Sequence, residues 1–126
     1  GTPGNPSCGV LAVAVACTLA LCGCTSERSI VARVPNGNEA LEAIVYYDVA
    51  LRASEVEVLV KEGGAVLRIA ESRGGGPLRT EWLGSHELRV EYMSGADLRC
   101  RHTQFVYQSD DGLKVPLRVA IATYRQ

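Results

Sequence analysis

Two segments of the chain alternate between apolar and charged or polar residues with a period of two. The alternation is complete over residues 86–92, and residues 55–61 repeat it with valines and one extra leucine. Successive side chains of a β-strand point to opposite faces, so each segment predicts a strand with one buried and one solvated face. The side chains expected in the core are Val56, Val58, Val60, Leu88, Val90 and Tyr92.

Residues typical of turns separate these segments from further strand-like runs at 42–47, 65–70 and 113–124. Gly63-Gly64 predicts a two-residue hairpin, and Asn36-Gly37, Ser94-Gly95-Ala96 and Asp110-Asp111-Gly112 predict further reversals. No segment after the first 26 residues shows a helical period. The sequence therefore predicts an all-β fold, a small antiparallel sandwich or partly open barrel of six to seven strands.

The strand expected near residue 100 breaks the alternation. Leu98, Cys100 and His102 fall on one face, whereas Phe105 and Tyr107 fall on the other. A β-bulge near Thr103 would bring all of these side chains to a single buried face. In the last run, Pro116 indicates an edge strand or the first residues of a strand, because proline donates no backbone hydrogen bond.

Length and charge exclude some classes of function. The chain has 126 residues, enough for one small domain, and its 13 basic and 14 acidic residues leave a net charge of −1. This balance argues against a nucleic-acid partner held by a basic surface. All formal charges lie from Glu27 onward, so the first 26 residues form a segment of a different kind.

Within that segment, residues 10–22 form an apolar run with no charge. As a helix this run would measure about 20 Å, which is too short for a hydrocarbon core of about 30 Å. Its length fits the apolar region of a secretory signal peptide. A buried core helix or strand is the alternative, but such segments usually carry a polar face.

The residues that follow, Leu21-Cys22-Gly23-Cys24, resemble the lipobox of bacterial lipoproteins. The resemblance implies cleavage between Gly23 and Cys24, with diacylglycerol on the Cys24 sulfur and further acylation of the new N-terminus. Several acyl chains together give durable membrane attachment. Thr25 in place of Asp resembles lipoproteins sorted to the outer membrane of Gram-negative cells.

This interpretation divides the chain into a signal peptide at 1–23, a lipidated tether at 24–34 and an antiparallel β domain at 35–126. The first nine residues contain no Lys or Arg, and the chain starts with Gly1 rather than Met. We therefore expect that the start of the signal is truncated or misassigned.

The cysteines give no sign of a disulfide framework or a metal centre. Cys8, Cys17 and Cys22 precede the predicted cleavage site, and Cys24 would carry lipid, so Cys100 would stand alone in the mature chain. A metal or redox role for Cys22-Gly23-Cys24 is the alternative, but no second pair of ligands lies at a suitable spacing. We expect neither a metal nor a cofactor.

No group of residues predicts catalysis, so the chain is not expected to be an enzyme. Neither Ser85 nor Ser94 lies in a nucleophile elbow beside His86 or His102. Asp110-Asp111-Gly112 lacks the alternating oxygen ligands of a calcium loop.

The candidate partner-binding residues are Arg99 and Arg101. Two residues apart on a strand, they would project from one face about 7 Å apart and could engage a phosphate or an acidic partner. Alternatively, they keep a sheet face solvated or pair with the acidic residues of 87–91.

The body of the chain has a weaker resemblance, which covers about residues 34–124. Pro35-Asn36-Gly37, Trp82-Leu83 and the Leu-x-Val-x-Tyr pattern of 88–92 resemble small uncharacterised all-β lipoproteins of bacteria. This resemblance implies a fold and a location in the cell envelope, and no particular chemistry.

Together these observations predict a protein anchored in the outer membrane and facing the periplasm, with a non-enzymatic β domain for binding or scaffolding. Its expected partners are the membrane, through the lipid, and a periplasmic protein. The alternative is an inhibitor of a cell-wall-degrading enzyme such as lysozyme, because Ser94-Gly95-Ala96 is similar to a turn of small lipid-anchored lysozyme inhibitors. Those proteins also carry a disulfide and a downstream tryptophan, which the mature chain lacks.

Overall fold

The computed structural model of the chain describes residues 28–100, 102–108 and 114–125. The nine strands of this part are β1 (Ser29–Pro35), β2 (Leu41–Asp48), β3 (Ala53–Val60), β4 (Val66–Arg73), β5 (Arg79–Gly84), β6 (Glu87–Met93), β7 (Asp97–Arg99), β8 (Gln104–Gln108) and β9 (Lys114–Tyr124). The predicted signal peptide at 1–23, the cleavage site at Gly23 and Cys24, Arg101 and the turn at 110–112 lie outside the described residues.

The strands form two sheets that pack as a sandwich, which confirms the predicted all-β class. The first sheet has the order β1-β2-β3-β4-β7 and the second has the order β5-β6-β9-β8. Neighbouring strands run antiparallel except β6 and β9, which pair in parallel. The described part holds more than the six to seven strands expected, because β1 and β5 lack a clear alternation and the predicted strand near residue 100 divides in two.

The core lies between the two sheets. From the first sheet it receives Leu41, Ala43, Val45, Val56, Val58 and Val60, and from the second sheet Leu88, Val90, Leu117 and Val119. Five of the six predicted core residues are buried, whereas Tyr92 is half-buried because it lies next to the end of β6. β2 is an inner strand that is apolar on both faces, and Ile44 on its outward face is only 6% exposed.

The single strand expected over residues 98–107 was a wrong prediction. β7 pairs with β4 in the first sheet and β8 pairs with β9 in the second, so the chain crosses between the sheets instead of bulging near Thr103. Leu98 and Cys100 pack against the same core as Phe105 and Tyr107. β7 and β8 face the core from opposite sides. This is why the apolar residues of 98–100 and of 105–107 are out of phase when the segment is treated as one continuous strand.

The connection between β3 and β4 also differs from the prediction. Gly63 and Gly64 do not form a two-residue hairpin but belong to a longer loop, closed by bonds from Val60 N to Ala65 O (2.8 Å) and from Gly64 N to Val60 O (3.1 Å). Both glycines have positive φ, +89° and +75°. The predicted turn at 94–96 is present between β6 and β7, where Ala96 N donates to Met93 O at 3.0 Å.

Three hydrogen bonds from or to side chains join the first sheet to the segment around β5. Asn36 Nδ2 donates to Ser85 O at 2.8 Å, and Trp82 Nε1 donates to Val34 O at 2.7 Å. At the other end of β5, Leu78 N donates to Ser54 Oγ at 2.9 Å. These directional contacts fix how the sheets are placed on each other, which apolar packing alone would not specify.

Among the described residues no helix is long and apolar enough to cross a membrane.

Candidate functional site

A groove of about 680 Å³ lies beside the short strand β7. β7 pairs only with Glu71, Ser72 and Arg73, so in the described part residues 66–70 of β4 have no strand on that side. The groove follows this uncovered flank. Its lining includes Glu55, Glu57, Arg68, Ile69, Glu71, Leu98, Arg99, Cys100 and His102.

A β-bulge in β4 shapes the floor of the groove. Val56 lies opposite Ala70 and Glu57 lies opposite Arg68, which leaves Ile69 without a partner on β3. Ile69 and Ala70 are both buried although they are neighbours in sequence, and Arg68 points into solvent. The bulge thus places an apolar floor next to a charged rim.

A row of four charges crosses the first sheet, and three of them lie on the rim of the groove. Glu55 lies directly opposite Glu71, and Arg99 lies opposite Glu71 on its other side. Arg28 completes the row with a hydrogen-bonded salt bridge to Glu55. Like charges that face each other across strands are destabilising, so the two outer arginines compensate for the inner pair of carboxylates.

A second ion pair on the rim is loose. Arg68 Nε lies 4.0 Å from Glu57 Oε2, and the Arg68 side chain is 88% exposed. Such a guanidinium loses little stabilisation when it leaves its carboxylate for another partner, because exposed ion pairs contribute at most about 1 kcal/mol.

Cys100 and His102 close the groove on the side away from β3. The Cys100 thiol donates to the His102 carbonyl oxygen at 3.2 Å, and burial raises the pKa of the thiol. The His102 ring packs edge-on against Phe105, with ring centres 5.9 Å apart. The thiol thus meets a carbonyl rather than an imidazole and stays protonated, which is the opposite of an activated nucleophile.

A smaller cavity of about 150 Å³ adjoins the groove and shares Glu55 and Glu71 with it. Asp48, which is 3% exposed, lies at its wall and accepts a hydrogen bond from Leu51 N through Oδ1 at 3.1 Å. Asp48 Oδ2 has no partner among the described residues. Burial, and then the neighbouring Glu57, raise the pKa of Tyr46, over whose ring the Arg28 guanidinium lies at 4.0 Å.

Of the two arginines predicted to bind a partner, Arg99 lies exposed on the rim of the groove and Arg101 is outside the described residues. The alternative pairing of Arg99 with residues 87–91 was wrong, because those residues belong to β6 in the other sheet. There Arg89 forms salt bridges with Glu81 and Glu91. Sequence reasoning missed Arg68 and Glu71, which become neighbours of Arg99 only through the register of β4 and β7.

Within residues 28–100, 102–108 and 114–125, no three His, Cys, Asp or Glu side chains are grouped so that they could hold a metal ion. The fold and the groove define a small two-sheet β-sandwich with an open recess of mixed charge. No protein-family model and no curated protein matches the sequence, and no solved structure matches the fold.

Proposed function

We propose that this chain is a lipid-anchored protein of the bacterial envelope, whose β-sandwich is a non-enzymatic module that binds or scaffolds a protein partner. The observation that carries the proposal is the sequence Leu21-Cys22-Gly23-Cys24 directly after an uncharged apolar run. Diacylglycerol on Cys24 would hold the domain at a membrane. Thr25 in place of Asp favours a location at the outer membrane, on the side that faces the periplasm.

The start of the first strand limits how far the domain can reach. β1 begins at Ser29, so four residues separate Cys24 from the first strand, fewer than in the tether expected over 24–34. Fully extended, this segment spans about 17 Å. On this proposal the domain meets its partner next to the membrane.

The groove supports the binding role. It is open to solvent, and its rim carries Arg68 and Arg99 beside Glu71. Alternating charges fix the orientation of a polar partner more than they add affinity. The uncovered flank of β4 leaves room for an extended segment of such a partner.

Mass spectrometry tests the anchor. The chain, supplied with a start codon and a basic leader in a bacterial host, should yield a mature protein that begins at Cys24 and carries acyl chains. Cys24→Ser should abolish the acylation, whereas Cys100→Ser should leave it unchanged. Thr25→Asp should move the protein to the inner membrane fraction. An unacylated mature N-terminus at another residue would refute the anchor.

Crosslinking in living cells tests the groove. A photoreactive amino acid at position 68 should give a discrete adduct, and Arg99→Glu should reduce its yield several-fold. The same amino acid in place of Val106, which is 57% exposed on β8, is the control and should give no such adduct. Equal adducts from the two positions would mean that the groove is not the binding site.

Inhibition of lysozyme is the second candidate, favoured by the turn at 94–96. Ser94 and Gly95 are exposed, and the turn is held by a hydrogen bond from Ser94 N to Tyr124 O at 2.8 Å. If the mature protein is an inhibitor, it should slow cell-wall lysis in proportion to its concentration, and Ser94→Arg should abolish the effect. Absence of inhibition at a large molar excess would leave the binding module as the proposal.

A further inference from the structure

One end of the sandwich gathers arginines from several elements. We call it the basic end and define it by Arg28, Arg52, Arg73, Arg79 and Arg125. The connections of both sheets meet there, because Gly74 N donates to Arg52 O at 2.9 Å and Tyr47 Oη donates to Gly75 O at 3.0 Å. The β6–β7 turn joins them through Tyr124.

The charge at this end is only partly compensated. Of its five arginines, only Arg28 forms a salt bridge within the described residues. Arg79 stacks on the ring of Tyr124 at 3.7 Å, and stacking leaves its charge in place. Asp97 lies exposed opposite Arg73 and Glu91 lies opposite Arg79, but neither carboxylate forms a salt bridge with the arginine it faces, and Asp48 is buried. The loops at the opposite end carry Glu39 and Glu62 as well as Lys61.

Exposed apolar side chains occur at the same end. Val49 and Leu51 in the β2–β3 turn are 75% and 53% exposed, and Ile30 and Val31 at the start of β1 are 44% and 48% exposed. Tight turns between strands usually consist of polar residues or glycine, so three consecutive apolar residues at 49–51 are unusual there. The turn is closed by a hydrogen bond from Leu51 N to Asp48 Oδ1 at 3.1 Å, and Arg52 follows it with a φ of +51°.

The predicted anchor lies next to this end. Ser29 is paired with Tyr47, so the start of β1 lies beside the strand that leads into the exposed turn. Cys24 precedes Arg28 by four residues, and their Cα atoms lie at most about 14 Å apart. A lipid on Cys24 would therefore bring the basic end close to the bilayer surface.

We propose that the basic end docks on an anionic phospholipid surface, with Val49 and Leu51 in the interfacial region and Arg52 and Arg73 among the headgroups. Apolar burial and attraction to anionic lipids together are what hold proteins at such a surface. This inference rests on the proposed anchor for its geometry, while the docking contacts belong to the domain itself. In this orientation the turn around Asn36 points away from the membrane, and the groove opens parallel to the membrane surface.

Tryptophan quenching tests the orientation. Leu51→Trp is compared with Val66→Trp, because Val66 is 51% exposed but lies at the other end of the sandwich. The mature protein, purified from cells, is placed in phosphatidylglycerol–phosphatidylcholine vesicles with brominated acyl chains, and the signal of Trp82 is subtracted with the parent protein. Emission from position 51 should fall at least twofold, and emission from position 66 should be unchanged.

The charge contribution is tested on the same vesicles. Arg52→Glu combined with Arg73→Glu should reduce the quenching at position 51 several-fold, whereas Lys61→Glu should not. Val49→Trp is the second reporter, used if Leu51→Trp changes the circular dichroism spectrum. Equal quenching at positions 51 and 66, or none at position 51, would overturn the proposal.

The mass of the same sample separates the two proposals. Acylated protein without quenching at position 51 would refute the docking and leave the anchor standing. Protein without acyl chains whose position 51 is quenched when vesicles are added would refute the anchor and support the docking.

Discussion

At the scale of single residues, Asn36 shows how one buried amide can join two sheets. Its Nδ2 donates to Ser85 O at 2.8 Å, and its Oδ1 accepts from Leu41 N at 3.1 Å. The side chain therefore fixes its own turn and also binds the connection between β5 and β6. The Asn-Gly pattern predicted the turn, but the contact with Ser85 depends on the second sheet.

Replacing this amide should destabilise the domain. Asn36→Ala leaves a buried N–H and a carbonyl without partners, so we expect the free energy of unfolding to fall by about 2 kcal/mol. Asn38→Ala is the matched control in the same turn, because Asn38 is exposed and only accepts from Ala40 N. Urea denaturation measures both changes, and equal losses would contradict the role of Asn36.

Stability should also fall at high pH. Burial raises the pKa of Tyr46, Cys100 and Tyr107, with a further contribution from Glu57 at Tyr46. An acid whose pKa is higher in the folded state holds its proton more strongly there than when unfolded. Its stabilisation is complete below the unfolded pKa, about 8.5 for Cys and 10 for Tyr, and is lost as the pH rises from that value through the higher pKa of the folded state.

Urea midpoints between pH 7 and 10.5 check this dependence. The midpoint should decline above about pH 8.5, and Tyr46→Phe or Cys100→Ser should each make the decline shallower. A midpoint that is constant or rises over this range would show that the three groups do not favour their neutral forms in the folded state.

At the scale of elements, the loop between β3 and β4 depends on glycine. Gly64 has a φ of +75° in a loop where an added Cβ would meet nothing within 4 Å, so its constraint is conformational and not steric. Gly64→Ala should cost about 1 kcal/mol of stability. Gly37→Ala is the control in open space without a positive φ, and it should change stability by less than about 0.5 kcal/mol. Thermal unfolding of the two variants distinguishes them.

The strands that could be predicted are those whose pairing and burial leave a period in the sequence. β3 and β6 alternate cleanly because one face of each is buried and the other is solvated. β1 has little buried surface, so its sequence lacks this signal. The parallel pairing of β6 with β9 leaves no local mark, because it joins Glu87 to Arg118 across two other strands, β7 and β8.

At the scale of the whole molecule, one core connects the two sheets, so a defect in it should destabilise both sheets together. Leu88 is fully buried, so Leu88→Ala should lower the free energy of unfolding by about 3 kcal/mol. Leu83, which is 47% exposed on the neighbouring strand, is the control, and Leu83→Ala should cost less than about 1 kcal/mol.

Urea denaturation, which measures the losses expected for Leu88→Ala and Leu83→Ala, also tests whether the sandwich unfolds as one unit. Trp82 belongs to the second sheet and donates to Val34 in the first, so its fluorescence should report the loss of both sheets. The urea transitions followed by Trp82 fluorescence and by far-UV circular dichroism should coincide. Separate midpoints would show that one sheet outlasts the other.

The groove was less predictable than the fold. The basic neighbourhood of Arg99 marks it as a candidate in the sequence. Its neighbours Arg68 and Glu71 come from β4, about thirty residues earlier, through a register that no local pattern encodes. The basic end was missed for a similar reason. Its arginines are spread from residue 28 to residue 125 and converge only because the connections of both sheets meet at one end.

The position of β9 in the chain imposes an order on folding during synthesis. β1 to β4 pair as consecutive hairpins and can form as the chain emerges, whereas β6 has β5 on one side and waits for β9 on the other. β9 follows every other described strand, so until Lys114–Tyr124 emerges, β6 exposes an open edge to other nascent chains. A polypeptide stalled before Lys114 would therefore carry its first sheet and an unsealed second one, and it would be the form most in need of a chaperone.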